Sequence, residues 1–176
     1  METVRLFYAL WPDAATARRL AALQAPLSGR KTHVADLHLT LAFLGPQPSS
    51  LVGMLGSLPR LLDCPPMTLT LDRYGMFERK GIVWAGMSSP PPTLSVLQDV
   101  LADALEQRQV AFNREETFRP HITLARKASW PDGLEAAFEP IEWRAGGVAL
   151  ARSGVVPASG ARYQVLACGG GGSALL

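Results

Sequence analysis

The residues best equipped for chemistry are two histidines that recur in the same surroundings. His38-Leu39-Thr40-Leu41-Ala42 in the first half of the chain returns as His121-Ile122-Thr123-Leu124-Ala125 in the second. Given two histidines, matching Thr, Leu and Ala at the same offsets arises by accident roughly once in a thousand pairs at ordinary residue frequencies. The chain has only three histidines from which to draw such a match. Both copies sit in strand-like contexts, where side chains alternate, so the imidazole and the hydroxyl two residues on face the same way. Two such strands related by a pseudo-two-fold present two His and two Thr to one cleft. That set suits a phosphoryl centre. A neutral imidazole takes a proton from water while a protonated one supplies a departing oxygen, and imidazole reaches both states near neutral pH. The hydroxyls donate to non-bridging oxygens where charge gathers. One His-x-Thr alone is ordinarily a half-buried polar pair; duplication is what marks a site. His33 lacks a threonine two residues on and reads as a solvated loop residue.

The elements that must carry these motifs follow from the patterning of apolar residues. Val4 to Leu10 reads as a buried strand, and Ala14 to Leu27, after Pro12-Asp13, as a helix. Asp36 to Gly45 carries the first motif as a strand. Ser49 to Leu62 follows as a helix, with Ser49 or Ser50 as its cap. Met67 to Phe77 and Ile82 to Met87 read as strands around a Glu78–Gly81 turn. Ser88 to Pro92 is the clearest linker, and Thr93 caps a helix through Arg108 with Leu94, Leu97, Leu101, Ala104 and Leu105 inward. Arg119 to Lys127 carries the second motif. Glu142 to Arg152 and Ala161 to Cys168 are the final strands, joined by a Gly154–Gly160 turn. The fold class is α+β: one bilobal domain over residues 1–168 and a flexible glycine-rich tail over 169–176.

Composition bounds the partners. Hydrophobic residues make up 48% of the 176, charged residues 18%, and the net charge is +2. Such a chain buries a core, and its charge is too weak for unspecific coating of nucleic acid. Arginines outnumber lysines 14 to 3, a bias that suits phosphate and equally fits a high-GC genome. Cys64 and Cys168 have no metal or redox spacing and read as separate thiols. Nothing resembles a secretory signal, and no apolar run reaches the ~20 residues of a membrane span. The expectation is a cytoplasmic, soluble monomer without cofactor.

The two motifs resemble the 2H phosphoesterase superfamily, which is defined by two His-x-Thr/Ser-x motifs on a duplicated bilobal fold. Arg5–Asp13 (RLFYALWPD), Leu37–Gly45 (LHLTLAFLG), Ile82–Met87 (IVWAGM), Pro120–Arg126 (PHITLAR) and Leu150–Leu166 resemble, in order, the bacterial RNA 2′,3′-cyclic phosphodiesterases, historically called 2′-5′ RNA ligases. The resemblance implies two antiparallel sheets lining a cleft, with helices outside. It implies opening of RNA or nucleotide 2′,3′-cyclic phosphate ends to 2′-phosphates without a metal. A strained cyclic phosphate asks only for acid-base work and oxyanion stabilisation. His38 is then the general acid and His121 the general base, a division the internal symmetry leaves open. Thr40 and Thr123 hold the phosphate, Arg126 contacts it, and Phe43 flanks the base. Strict alternation puts Phe43 and Arg126 on the face opposite the histidines, so they reach the site only if the strands twist, bulge or end. Arg119 either assists RNA phosphates or is solvated; Trp84 and Tyr74 are left in the core. The rival readings are 2′-5′ ligation at the same site, a non-catalytic nucleotide-binding module, and a metal centre, the weakest because no carboxylate or cysteine clusters with the histidines.

Overall fold

Nine short, mostly apolar segments form strands of one antiparallel sheet in the computed structural model, which describes residues 2–154 and 159–169. They are β1 (Thr3–Leu10), β2 (Arg30–Lys31), β3 (Leu39–Pro48), β4 (Met67–Phe77), β5 (Ile82–Gly86), β6 (Ile122–Arg126), β7 (Ala137–Ala145), β8 (Ala149–Ser153) and β9 (Tyr163–Cys168). The order is β7-β4-β5-β6-β3-β1-β8-β9, and β2 adds to β6. The two expected sheets are the four-stranded halves of this path. They meet between β6 and β3 through a single register pair, Leu39 with Ile122. Each of those residues directly follows a motif histidine. Extending the antiparallel register one residue either way sets His38 opposite Thr123 and His121 opposite Thr40. The two copies of the repeat thus meet antiparallel, at equivalent positions, on the seam between the halves.

The halves are interleaved in sequence. β4 to β7 build one, while β1 and β3 share the other with β8 and β9. The expected strand Glu142 to Arg152 therefore splits: β7 ends at Ala145, Gly146-Gly147 turn the chain with φ +79° at Gly147, and β8 starts on the other half. Ser88–Pro92, read as a linker, joins β5 to a helix without separating lobes.

Three helices flank the sheet: α1 (Ala14–Ala22), α2 (Val52–Leu61) and α3 (Pro92–Gln107). α1 starts where Asp13 accepts from the Thr16 amide at 2.9 Å, an N-cap that satisfies an orphan donor. It stops earlier than its apolar pattern suggests, because Pro26 disfavours helical backbone at the residue before it. α2 follows a 3₁₀ turn, and no serine side chain caps it. α3 begins with Pro at its first position, where the missing N–H costs nothing. Leu94, Leu97, Leu101 and Leu105 of α3 are buried as expected, in one apolar cluster that also takes Leu6, Tyr8 and Leu10 of β1 and Trp143 of β7. The opposite face of β1 carries Phe7 and Ala9, which form a second, smaller cluster with Ala151. Gly169, assigned to the tail, donates to the Val148 carbonyl at 3.1 Å; residues 170–176 lie outside the described residues, as do 155–158 of the expected turn.

Candidate active site

Both motif histidines stand one residue before their strands rather than within them. The same local bond fixes each ring. His38 Nδ1 lies 2.5 Å from the Asp36 carbonyl, and His121 Nδ1 lies 2.8 Å from the Arg119 carbonyl. A carbonyl only accepts, so Nδ1 carries the proton in each case and Nε2 keeps its lone pair. Thr40 Oγ1 is 3.0 Å from His38 Nε2, the neighbour relation that spacing by two predicts.

The residues five positions after each histidine reach the same cleft by a shared irregularity. On β3, Tyr8 pairs with Ala42 and Ala9 with Thr40, leaving Leu41 without a partner on β1. On β6, Val83 pairs with Ala125 and Trp84 with Thr123, leaving Leu124 without a partner on β5. Leu41 and Leu124 are the same position of the repeat. One extra residue reverses the parity of alternation. Phe43 and Arg126 therefore face the side of Thr40 and Thr123, although both bulged leucines stay buried. His38, His121, Thr40, Thr123, Arg126 and Phe43 all line one cleft of about 470 Å³. Phe43 is 50% exposed at its edge, with the Arg5 guanidinium 5.6 Å from its ring centre.

The two histidines differ in their surroundings. Trp11 stacks on His38 with centroids 4.7 Å apart and planes 22° apart, Phe7 lies at 5.0 Å, and Tyr163 meets the ring edge-on at 5.2 Å. Trp11 Nε1 donates to the Ala35 carbonyl at 2.9 Å, which locks the indole. The Asp36 carboxylate, only 2% exposed, accepts from the backbone amides of Arg162 and Tyr163 at 2.8 and 3.3 Å. It thereby ties the start of β9 to the loop that carries His38. His121 instead meets the edge of Phe77 at 4.9 Å, backed by Trp84 at 6.3 Å. Trp84 lies flat over Gly75 and Gly86, where an added Cβ would come within 2.0 and 2.5 Å of the indole.

Burial moves both imidazoles in one direction. It pulls His38 down to about 4 against the opposing pull of the Asp36 carbonyl and carboxylate. His121 is lowered too, again chiefly by burial and against the Arg119 carbonyl. Near pH 7 both rings are neutral in the free protein.

Trp11, Phe7, Tyr163 and Asp36 were not singled out in the sequence. For Phe7 the signal was an apolar run in β1 too continuous for one buried face. Tyr74 is buried as expected, its hydroxyl donating to the Leu23 carbonyl at 2.7 Å, whereas Trp84 is only half-buried. His33 is exposed at the rim, its Nδ1 accepting from the Ala35 amide at 3.1 Å. Arg119 is exposed and meets the site through its carbonyl. The described residues contain no group of three or more His, Cys, Asp or Glu side chains arranged for a metal, and no helix among them is long and apolar enough to cross a membrane.

The chain is similar to known proteins in sequence and in fold. A family model described as the 2′-5′ RNA ligase superfamily matches residues 10–156. The RNA 2′,3′-cyclic phosphodiesterase of Escherichia coli is 37% identical over 132 residues, 73% of this chain and 74% of that protein. The protein of the same name from Thermus thermophilus is 30% identical over 176 residues, 93% of this chain and 88% of that one. The crystal structure of E. coli LigT complexed with 3′-AMP matches with a TM-score of 0.82 at 32% identity, covering 96% of this chain and 98% of that chain.

Proposed function

The chain belongs to the 2′-5′ RNA ligase superfamily, and from that premise we propose that it hydrolyses RNA 2′,3′-cyclic phosphate ends to 2′-phosphomonoesters. The observation that carries the reading is the pair of His-x-Thr units across one register pair, each histidine with Nδ1 committed to a carbonyl. Water attacks phosphorus as His121 Nε2 takes its proton, the P–O3′ bond breaks, and protonated His38 gives its proton to O3′. The products are a 3′-hydroxyl and a 2′-phosphate. Thr40 and Thr123 donate to the non-bridging oxygens, Arg126 balances their charge, and Phe43 offers a face to the terminal base.

The division of roles follows the family resemblance, and the surroundings of His38 support it. The faces of Trp11 and Phe7 and the nearby Asp36 carboxylate favour an imidazolium once phosphate is bound. Burial opposes that charge in the free protein, so substrate binding itself loads the acid. Acid, base and hydroxyl donors complete this chemistry without a metal.

Product analysis tests the reading. A short RNA ending in a 2′,3′-cyclic phosphate should yield only the 2′-phosphate, with EDTA present or absent. His38→Ala and His121→Ala should each remove turnover while the thermal midpoint stays within a few degrees. A 3′-phosphate product, loss of activity on chelation, or substantial turnover by either variant would sink the mechanism.

A further inference from the structure

Beside the reacting centre, a two-residue strand serves no core yet is clamped in place. Arg30 and Lys31 of β2 are both exposed. Four features hold them against β6. Gly29, at φ +77°, approaches so closely that a Cβ would lie 2.3 Å from the Arg126 carbonyl oxygen, a conformation and a contact that only glycine tolerates. The Thr32 amide donates to the Leu124 carbonyl at 2.9 Å. The Thr32 hydroxyl donates to the Thr123 carbonyl at 2.9 Å. Buried Gln24 donates from one amide nitrogen to the carbonyls of Thr32 and Leu124 at 2.8 and 2.9 Å. The ribbon is thus fixed directly to the second catalytic motif.

The clamp creates an electrostatic conflict. It sets Arg30 opposite Arg126 in register, and like charges directly opposed across strands are destabilising. Arg30, Lys31, Arg126 and Arg162 all line the cleft, as do the acidic residues Asp36 and Glu115. Asp36 is already engaged by two backbone amides. Among the described residues the ion pairs are those of Arg114 with Asp99, Asp103 and Glu106, far along the chain on and after α3. Two arginines held opposite in register, with no carboxylate paired to either among the described residues, favour an anion beside them.

We infer that Arg30 and Lys31, held against Arg126, form a subsite for the phosphodiesters on the 5′ side of the reacting nucleotide, so that an oligonucleotide end is preferred to a mononucleotide. The inference rests on the proposed hydrolysis and adds the two residues that hold the chain beyond the reacting nucleotide. Contacts of this kind position the backbone without reading sequence, so the preference extends to ends of any base.

The test compares cytidine 2′,3′-cyclic phosphate with a pentanucleotide carrying the same end, in the wild type and in the double variant Arg30→Gln/Lys31→Gln. Two lost charge-assisted contacts should lower kcat/KM on the pentanucleotide about tenfold, mostly through KM. Turnover of the mononucleotide should stay within about twofold of the wild type. The slope of log kcat/KM against log salt should become shallower by about 1.4 on the pentanucleotide alone. Equal losses on both substrates, or no loss on the pentanucleotide, would overturn the subsite. A second arm measures anisotropy of a 5′-labelled pentanucleotide ending in a 2′-phosphate, which reports binding whether or not turnover occurs. Weaker binding by the double variant supports the subsite, and equal affinity refutes it. Absence of wild-type turnover on both substrates fails the hydrolase reading instead, and the binding arm then decides the subsite alone.

Discussion

Replacing His38 by glutamine should remove a pH dependence of stability that the wild type carries. The folded protein holds the His38 imidazole down to about 4, chiefly by burial, whereas in the unfolded chain it titrates near 6.5. Between these values the unfolded chain binds a proton that the folded one refuses. Stability is therefore full above 6.5 and falls as pH drops towards 4. The displacement corresponds to about 3 kcal/mol in all. Every carboxylate that also titrates in that range is common to the two proteins, so the difference between them isolates this one ring. Urea unfolding of wild type and His38→Gln at pH 7 and pH 4.5 gives four free energies. The wild type should lose about 2 to 3 kcal/mol more than the variant over that interval. Parallel losses would refute burial as the force on His38, and with it the account of how the acid is loaded. The same reasoning requires that a bound 2′-nucleotide restore the proton. Calorimetry in buffers of different ionisation enthalpy should show proton uptake on binding near pH 7, and binding without uptake would contradict it.

Three further outcomes follow from the site. Because both imidazoles are lowered by burial, kcat/KM should be bell-shaped with both limbs on the acid side of 6.5; a plateau reaching pH 8 would count against this pair as acid and base. Asp36→Asn leaves one carbonyl oxygen for two backbone amides, and should cost about 1 to 2 kcal/mol by urea unfolding; an unchanged midpoint would deny that Asp36 anchors β9. Gly75→Ala drives a methyl to 2.0 Å from the Trp84 ring, so the indole behind His121 must move, at about 1 to 3 kcal/mol of stability. The His121 ring resonances should shift while those of His38 stay; shifts at His38 instead would show that the indole does not back His121.

Some of this protein was legible in the chain itself. The repeat His38-x-Thr40 and His121-x-Thr123 is a local pattern, and a two-residue offset fixes the relative direction of two side chains before any partner strand is known. The helical spacing of Leu94, Leu97, Leu101 and Leu105 likewise foretells a buried face, because helical periodicity is internal to the segment. Parity beyond the motif was not legible. Whether Phe43 and Arg126 face the histidines depends on the bulges at Leu41 and Leu124, and a bulge is a mismatch between two strands rather than a property of one. The break between β7 and β8 sends the chain across the molecule, so the lobes do not coincide with the halves of the sequence. The ring of Trp11, Phe7 and Tyr163 around His38 joins residues from both ends of the chain. Only tertiary packing supplies the burial that lowers both histidines, since desolvation is set by everything folded around a group and not by its neighbours in sequence.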